Sequence, residues 1–251
     1  MVDAHIHLQS IPKERRTELL SHLCDLKFSA LFCNATSPDD WSTVMSIADF
    51  VESVKPFIGV HPWFVDHLPQ DWEALLVHNF RHSHCGIGEI GLDRTPKGGD
   101  FDRQKSVFVR QLDLALMFKK PFSIHCVEAW GAMMTILRSY NFNFPFIVHS
   151  FIGSGEILHE LINMGAMISV GQRSLKQHDA VSRIKDIPDD RLLIETDFPY
   201  LPKKNKDEAG IEDYRMAIME AYKSVGEIRS LPVEQLIEQV KSNARMILKF
   251  I

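Results

Sequence analysis

The sequence predicts a parallel α/β barrel of the (β/α)8, TIM-like type, a single domain over residues 1–251, and three observations predict it. Eight short runs rich in β-branched, aromatic and aliphatic residues recur along the chain, separated by segments whose apolar residues fall at helical spacing. Strands alternating with helices form parallel βα units, and eight units in 251 residues is the size of such a barrel. Residues able to do chemistry also gather at one end of these runs, where barrel enzymes place their sites. A doubly wound open sheet satisfies the first two observations equally, because periodicity does not report closure.

The first run, VDAHIHL at 2–8, alternates Asp3, His5 and His7 with Val2, Ala4, Ile6 and Leu8, so a strand sends two imidazoles to one face. FSALFCNA at 28–35 and KPFIGV at 55–60 follow, the latter leading directly into His61 and Pro62. HCGIGEI at 84–90 carries Glu89, PFSIHCV at 121–127 carries His125, and FPFIVHS at 144–150 carries His149. AMISV at 166–170 and RLLIETD at 191–197 complete the set, the last ending on Asp197. Between them, Phe108, Leu112, Ala115 and Leu116, or Ile157, Leu161 and Ile162, line single helical faces. Pro121 and Pro145 mark points where helices have ended. The final segment, 233–250, repeats Leu236, Val240 and Ile247 at helical spacing and is expected to close the outer layer.

An apolar content of 45% with 24% charged residues is that of a water-soluble globular protein. A net charge of -5 gives no broad attraction to nucleic acid, so any cation that meets a phosphate must belong to the site itself. No basic-then-apolar leader opens the chain and no apolar run reaches membrane-spanning length, which leads to the expectation of a cytoplasmic protein without membrane contact. No obligate protein partner can be read from the residues. Cys24, Cys33, Cys85 and Cys126 are scattered without CxxC spacing and are expected to be reduced and buried.

His5, His7, His61, Glu89, His125, His149 and Asp197 come from six different strand ends. Neutral imidazole and ionised carboxylate are ligands for zinc, manganese or iron, and a carboxylate can bridge two ions. Such a set suits a two-metal site with positions open to water and substrate. Because no cysteine belongs to it, a closed structural zinc site is not indicated.

With these residues in place, the sequence resembles the TatD family of metal-dependent hydrolases, within the amidohydrolase superfamily. The resemblance is carried by DAHIH at 3–7, GVHPW at 59–63, GEIGLD at 88–93, PFSIHC at 121–126, VHSFIGS at 148–154, ETDFPYLP at 195–202 and SNARMIL at 242–248. It implies a TIM-like barrel and two divalent metal ions, zinc, manganese or magnesium. It further implies that His5, His7 and Asp197 hold one ion, that His125 and His149 hold the other, and that Glu89 bridges them. By the same resemblance His61 faces substrate, Asp197 orients or deprotonates the attacking water, and DNA is the substrate, cut at single-stranded or frayed ends. Asp3 reads as a structural or orienting residue and Asp93 as a turn residue.

Two departures bear on the substrate. Where the family usually has arginine after the histidine–cysteine pair, this chain has Val127, and KKNKDEAGIED replaces the usual segment after Pro202. Arg94, Arg173 and Lys203, with Lys204 and Lys206 beside it, are the candidate cations to meet phosphates instead, the other reading being a solvated charged run. The competing reading is a small-molecule amidohydrolase or lactonase using the same two-metal site, and a third is a barrel that binds without turnover.

Overall fold

A computed structural model describes residues 1–201 and 205–251. All eight expected strands form: β1 (Val2–Ile6), β2 (Ala30–Asn34), β3 (Val54–Phe57), β4 (Ile87–Asp93), β5 (Phe122–Val127), β6 (Phe146–Val148), β7 (Ala166–Val170) and β8 (Leu192–Ile194). They pair in parallel as β1-β2-β3 and β4-β5-β6-β7-β8. Two narrow seams join these sheets into a barrel, through single bridges between Ile6 and Phe198 and between Phe57 and Gly86. The first seam is drawn by hydrogen bonds that Asp197 N donates to His5 O (3.0 Å) and His7 N donates to Phe198 O (2.7 Å). Closure thus places the first histidine pair beside the last carboxylate, from opposite ends of the chain.

Helices α1 (Lys13–Asp25), α2 (Pro38–Phe50), α3 (Trp72–His82), α4 (Phe101–Phe118), α5 (Trp130–Leu137), α6 (Gly155–Asn163), α7 (Gln172–Leu175), α8 (Ala180–Asp186), α9 (Ile211–Arg229) and α10 (Val233–Leu248) surround the strands. The last buries Leu236, Val240, Ala244 and Ile247 on one stripe, as its spacing requires. Tyr222 of α9 reaches under the barrel, where its hydroxyl accepts from Val2 N (3.1 Å) and donates to Val2 O (2.9 Å), anchoring β1. At the start of α2, Asp40 accepts from the backbone N–H groups of Thr36 and Ser37, and Pro38 occupies the first turn. That cap fixes the end of β2, against which His7 rests.

The structure corrects three readings. β4 runs to Asp93 rather than stopping near residue 90, so Glu89 lies within the strand and Asp93 ends it. The extension is possible because Gly91 pairs with His125 at a backbone approach that leaves no room for a side chain. An added Cβ there would lie 1.9 Å from His125 O, at a φ of +153. Gly91→Ala is therefore expected to destabilise the protein by about 3 kcal/mol or more, read as a lowered urea midpoint. An unchanged midpoint would show that β4 and β5 can separate at no cost. His5 and His125 likewise lie inside their strands rather than at the ends. Finally, Cys33, Cys85 and Cys126 are buried free thiols, whereas Cys24, on the outer face of α1, is exposed.

No helix among the described residues is long and apolar enough to cross a membrane.

Candidate metal centre

The barrel mouth opens into a cavity of about 1150 Å³, and at its floor the imidazoles of His5, His7, His125 and His149 surround the Glu89 carboxylate. The two carboxylate oxygens divide the work. Glu89 Oε2 lies 3.2 Å from His5 Nε2 and 3.3 Å from His7 Nε2. Glu89 Oε1 lies 2.8 Å from His125 Nδ1 and 3.1 Å from His149 Nε2. One carboxylate therefore spans two imidazole pairs, with Asp197 Oδ1 3.5 Å from His7 Nε2 at one edge.

Each ring is oriented by a partner on its far side, as ligating histidines require. His7 Nδ1 donates to Asn34 O (2.7 Å), leaving the Nε2 lone pair directed at the cluster. His125 Nε2 donates to Asp93 Oδ2 (3.0 Å), which leaves Nδ1 facing Glu89. His149 Nδ1 stands 3.4 Å from Glu195 Oε1, and the other Glu195 oxygen accepts from Ser169 Oγ. His5 Nδ1 is 3.4 Å from Ser123 Oγ, and its ring stacks on that of His149 at 3.9 Å between centroids. His61 is different. Its Nδ1 accepts from Trp63 N (3.2 Å), so the neutral ring carries its proton on Nε2, 3.7 Å from Glu89 Oε1. Burial holds His61 neutral, well below its ordinary range, and it offers the cavity a donor rather than a lone pair.

Two of the supports behind these residues, Gln104 and Gln111, carry no local signal in the sequence. Gln104 and Gln111 lie on the buried face of α4. Gln104 accepts from Asp93 N (2.8 Å) and donates to Asp93 O (2.9 Å). Gln111 accepts from Val60 N (2.7 Å) and donates to Val60 O (3.1 Å), one residue before His61. Asp93 caps the turn after β4 by accepting from Thr95 N (2.7 Å) and also accepts from Trp63 Nε1 (2.7 Å). Asp3 accepts from Thr196 Oγ1 (2.6 Å) and Thr196 N (3.1 Å), clamping the β8 loop to β1. Next in that loop, Asp197 takes the left-handed conformation (φ 60), which aspartate tolerates better than most residues.

Electrostatics show what the cluster lacks. Burial alone would raise the Glu89 carboxyl, yet the imidazoles, His149 foremost, pull it well below the usual range. Burial disfavours a charged His149, but Glu89 and Glu195 more than reverse this and hold it protonated. His5 falls to about 4, by burial and by repulsion from His149. Burial pushes Asp197 up to about 6, against the pull of His7 and His149. Several convergent lone pairs and carboxylates here share a few protons, an arrangement that a divalent cation satisfies with charge alone. Ligand atoms of His5, His7 and Asp197 lie within 4.8 Å of one another, as do those of His5, Glu89 and His149. The residues fit bound metal.

Of the cations expected to meet substrate, Arg173 lines the cavity. Arg94 does not, because its guanidinium lies over the Phe101 ring, 3.8 Å from the centroid. Lys203 and Lys204 fall outside the described residues, while Lys206 reaches the cavity. Val127 also lines it.

A parallel barrel with such a donor set at its mouth has the make-up of a metal-dependent hydrolase. The chain belongs to the TatD related DNase family, whose model matches residues 2–249. It is 25% identical to the human protein named deoxyribonuclease TATDN3, over 97% of this chain and 93% of that one. It is 31% identical to the 3'-5' ssDNA/RNA exonuclease TatD of Dickeya dadantii, over 80% of this chain and 79% of that one. The crystal structure of YJJV, a TatD homolog from Escherichia coli, superposes with a TM-score of 0.85 at 21% identity, covering 98% of this chain and 97% of that one. That last likeness speaks to the fold.

Proposed function

We propose that this protein is a divalent-metal-dependent nuclease that hydrolyses DNA phosphodiester bonds at single-stranded or frayed ends. The observation that carries the reading is the Glu89 carboxylate, one oxygen toward His5 and His7 and the other toward His125 and His149. On this reading His5, His7 and Asp197 would hold one cation and His125 and His149 a second, with Glu89 offering one oxygen to each pair of histidines. The cations, when bound, polarise a phosphoryl oxygen and lower the pKa of water. Asp197 accepts the proton of the attacking water, and a neighbouring cation would keep its carboxyl in the ionised form this requires. His61, neutral with Nε2–H toward the cavity, donates to a phosphate oxygen. Asp93, through its bond with His125 Nε2, keeps that ring turned to the centre. The names of the relatives favour this substrate over a small amide or lactone.

The test is incubation of the purified protein with end-labelled single-stranded DNA and Mg²⁺, Mn²⁺ or Zn²⁺ in turn. Shortening from an end with at least one of them, abolished by chelation, is expected. Intact DNA under every metal, with two ions bound per chain, would sink the nuclease reading and turn the search to small esters, lactones and amides.

A further inference from the structure

The chain is net -5, yet Lys97, Arg173, Lys176 and Lys206 all line the cavity above the metal centre. Two aromatic rings share that rim. Trp63 follows β3 and stands edge-on to His61, 4.8 Å between centroids, while Tyr200 follows β8 and stands edge-on to His7 at 5.5 Å. They therefore sit against imidazoles on opposite sides of Glu89, one beside the His61–His125 side and the other beside the His5–His7 pair. Trp63 is 38% exposed and Tyr200 42%, a large solvent share for rings of this size.

Neither ring is loose. Trp63 Nε1 donates to Asp93 Oδ2 (2.7 Å) and the Tyr200 hydroxyl donates to Ser10 Oγ (3.0 Å). The polar tip of each is tied down and the ring faces the cavity. Above each lies an ammonium, with Lys97 Nζ 4.9 Å from the Trp63 centroid and Lys206 Nζ 5.7 Å from that of Tyr200. A fixed aromatic face beside a cation matches the alternation of base and phosphate along a single strand.

We infer that Trp63 and Tyr200 are stacking platforms for two unpaired bases, one on each side of the bond to be cut, with Lys97 and Lys206 turning from the rings to the flanking phosphates. A base can present its face to such a ring only after leaving its duplex, so the platforms make the site selective for unpaired ends. This assignment rests on the nuclease reading and deepens it.

The experiment compares steady-state cleavage of oligothymidylate by the metal-loaded wild type and by Trp63→Leu, Trp63→Phe, Tyr200→Leu and Tyr200→Phe. Leucine removes the aromatic face, whereas phenylalanine removes the hydrogen bond and keeps the whole face at Tyr200 and a smaller one at Trp63. Each leucine variant is expected to raise KM by about tenfold, the low end of base–aromatic stacking, with each phenylalanine variant near the wild-type KM. Leucine variants with unchanged KM would overturn the platforms, as would phenylalanine variants impaired equally, since the hydrogen bond would then be what matters. A wild type that leaves oligothymidylate intact under every metal would instead strike the nuclease reading, and the platforms with it.

Discussion

Asp197→Asn is expected to lower kcat on single-stranded DNA by about 10²–10⁴-fold while the protein remains folded. Asparagine keeps the size of the side chain and tolerates the left-handed backbone found at this position. The loop contacts survive too, because they run through the backbone: Asp197 N to His5 O and Tyr200 N to Asp197 O. What disappears is a carboxylate able to take a proton, together with a negative charge 3.5 Å from His7 Nε2. The pH profile supplies the second readout. A carboxyl raised to about 6 is protonated as pH falls through that value, so the base is present above it and lost below. A neighbouring cation favours the ionised form, so the acid limb of the loaded wild type falls at or below pH 6. In the asparagine variant that limb should vanish with the activity. A variant retaining more than about a tenth of wild-type kcat, with an unchanged acid limb, would remove Asp197 from proton transfer.

The parts of this site written locally in the chain are legible in the sequence alone. His5 and His7 announce a strand face by their spacing of two, and apolar runs with helical segments between them announce the eight βα units. Residues defined by distant contacts are not legible there. Gln104 and Gln111 look like ordinary polar positions on a helix, and only packing α4 against β4 and the β3 loop turns them inward onto the backbones of Asp93 and Val60. Glu195 stands in plain view within ETDFPYLP, but its role behind His149 depends on β6, β7 and β8 lying side by side. The expected strand at 84–90 stops short of Gly91 and leaves Asp93 beyond it as a turn residue. In the folded chain that same glycine lets the strand continue. Arg94 lies off the cavity lining for a related reason, since sequence places it after a strand but cannot show that Phe101 offers its guanidinium a surface outside the cavity.

Glu89→Gln is expected to weaken divalent cation binding by more than about 100-fold and to abolish detectable cleavage. The bound exceeds the loss typical of residues that merely orient ligands, because Glu89 faces both imidazole pairs directly. Glutamine has nearly the same shape, so the change isolates charge. It also exchanges one acceptor oxygen for a donor NH₂, which meets either His5 and His7 or His125 and His149 with hydrogens where lone pairs must converge. Protons and cations compete for these nitrogens, and the competition has a sign. In the metal-free wild type Glu89 and Glu195 push His149 well above its ordinary range against the opposing effect of burial, so cation affinity climbs as rising pH releases that proton. Without the Glu89 charge, the burial that opposes a protonated His149 meets less resistance, and the climb should flatten. Calorimetric titration with Mn²⁺ or Zn²⁺ at several pH values reads the affinity, the stoichiometry and the protons released together. Two ions per chain bound with wild-type affinity and an undiminished pH slope would show that Glu89 is not the bridge and that the two imidazole pairs hold metal independently.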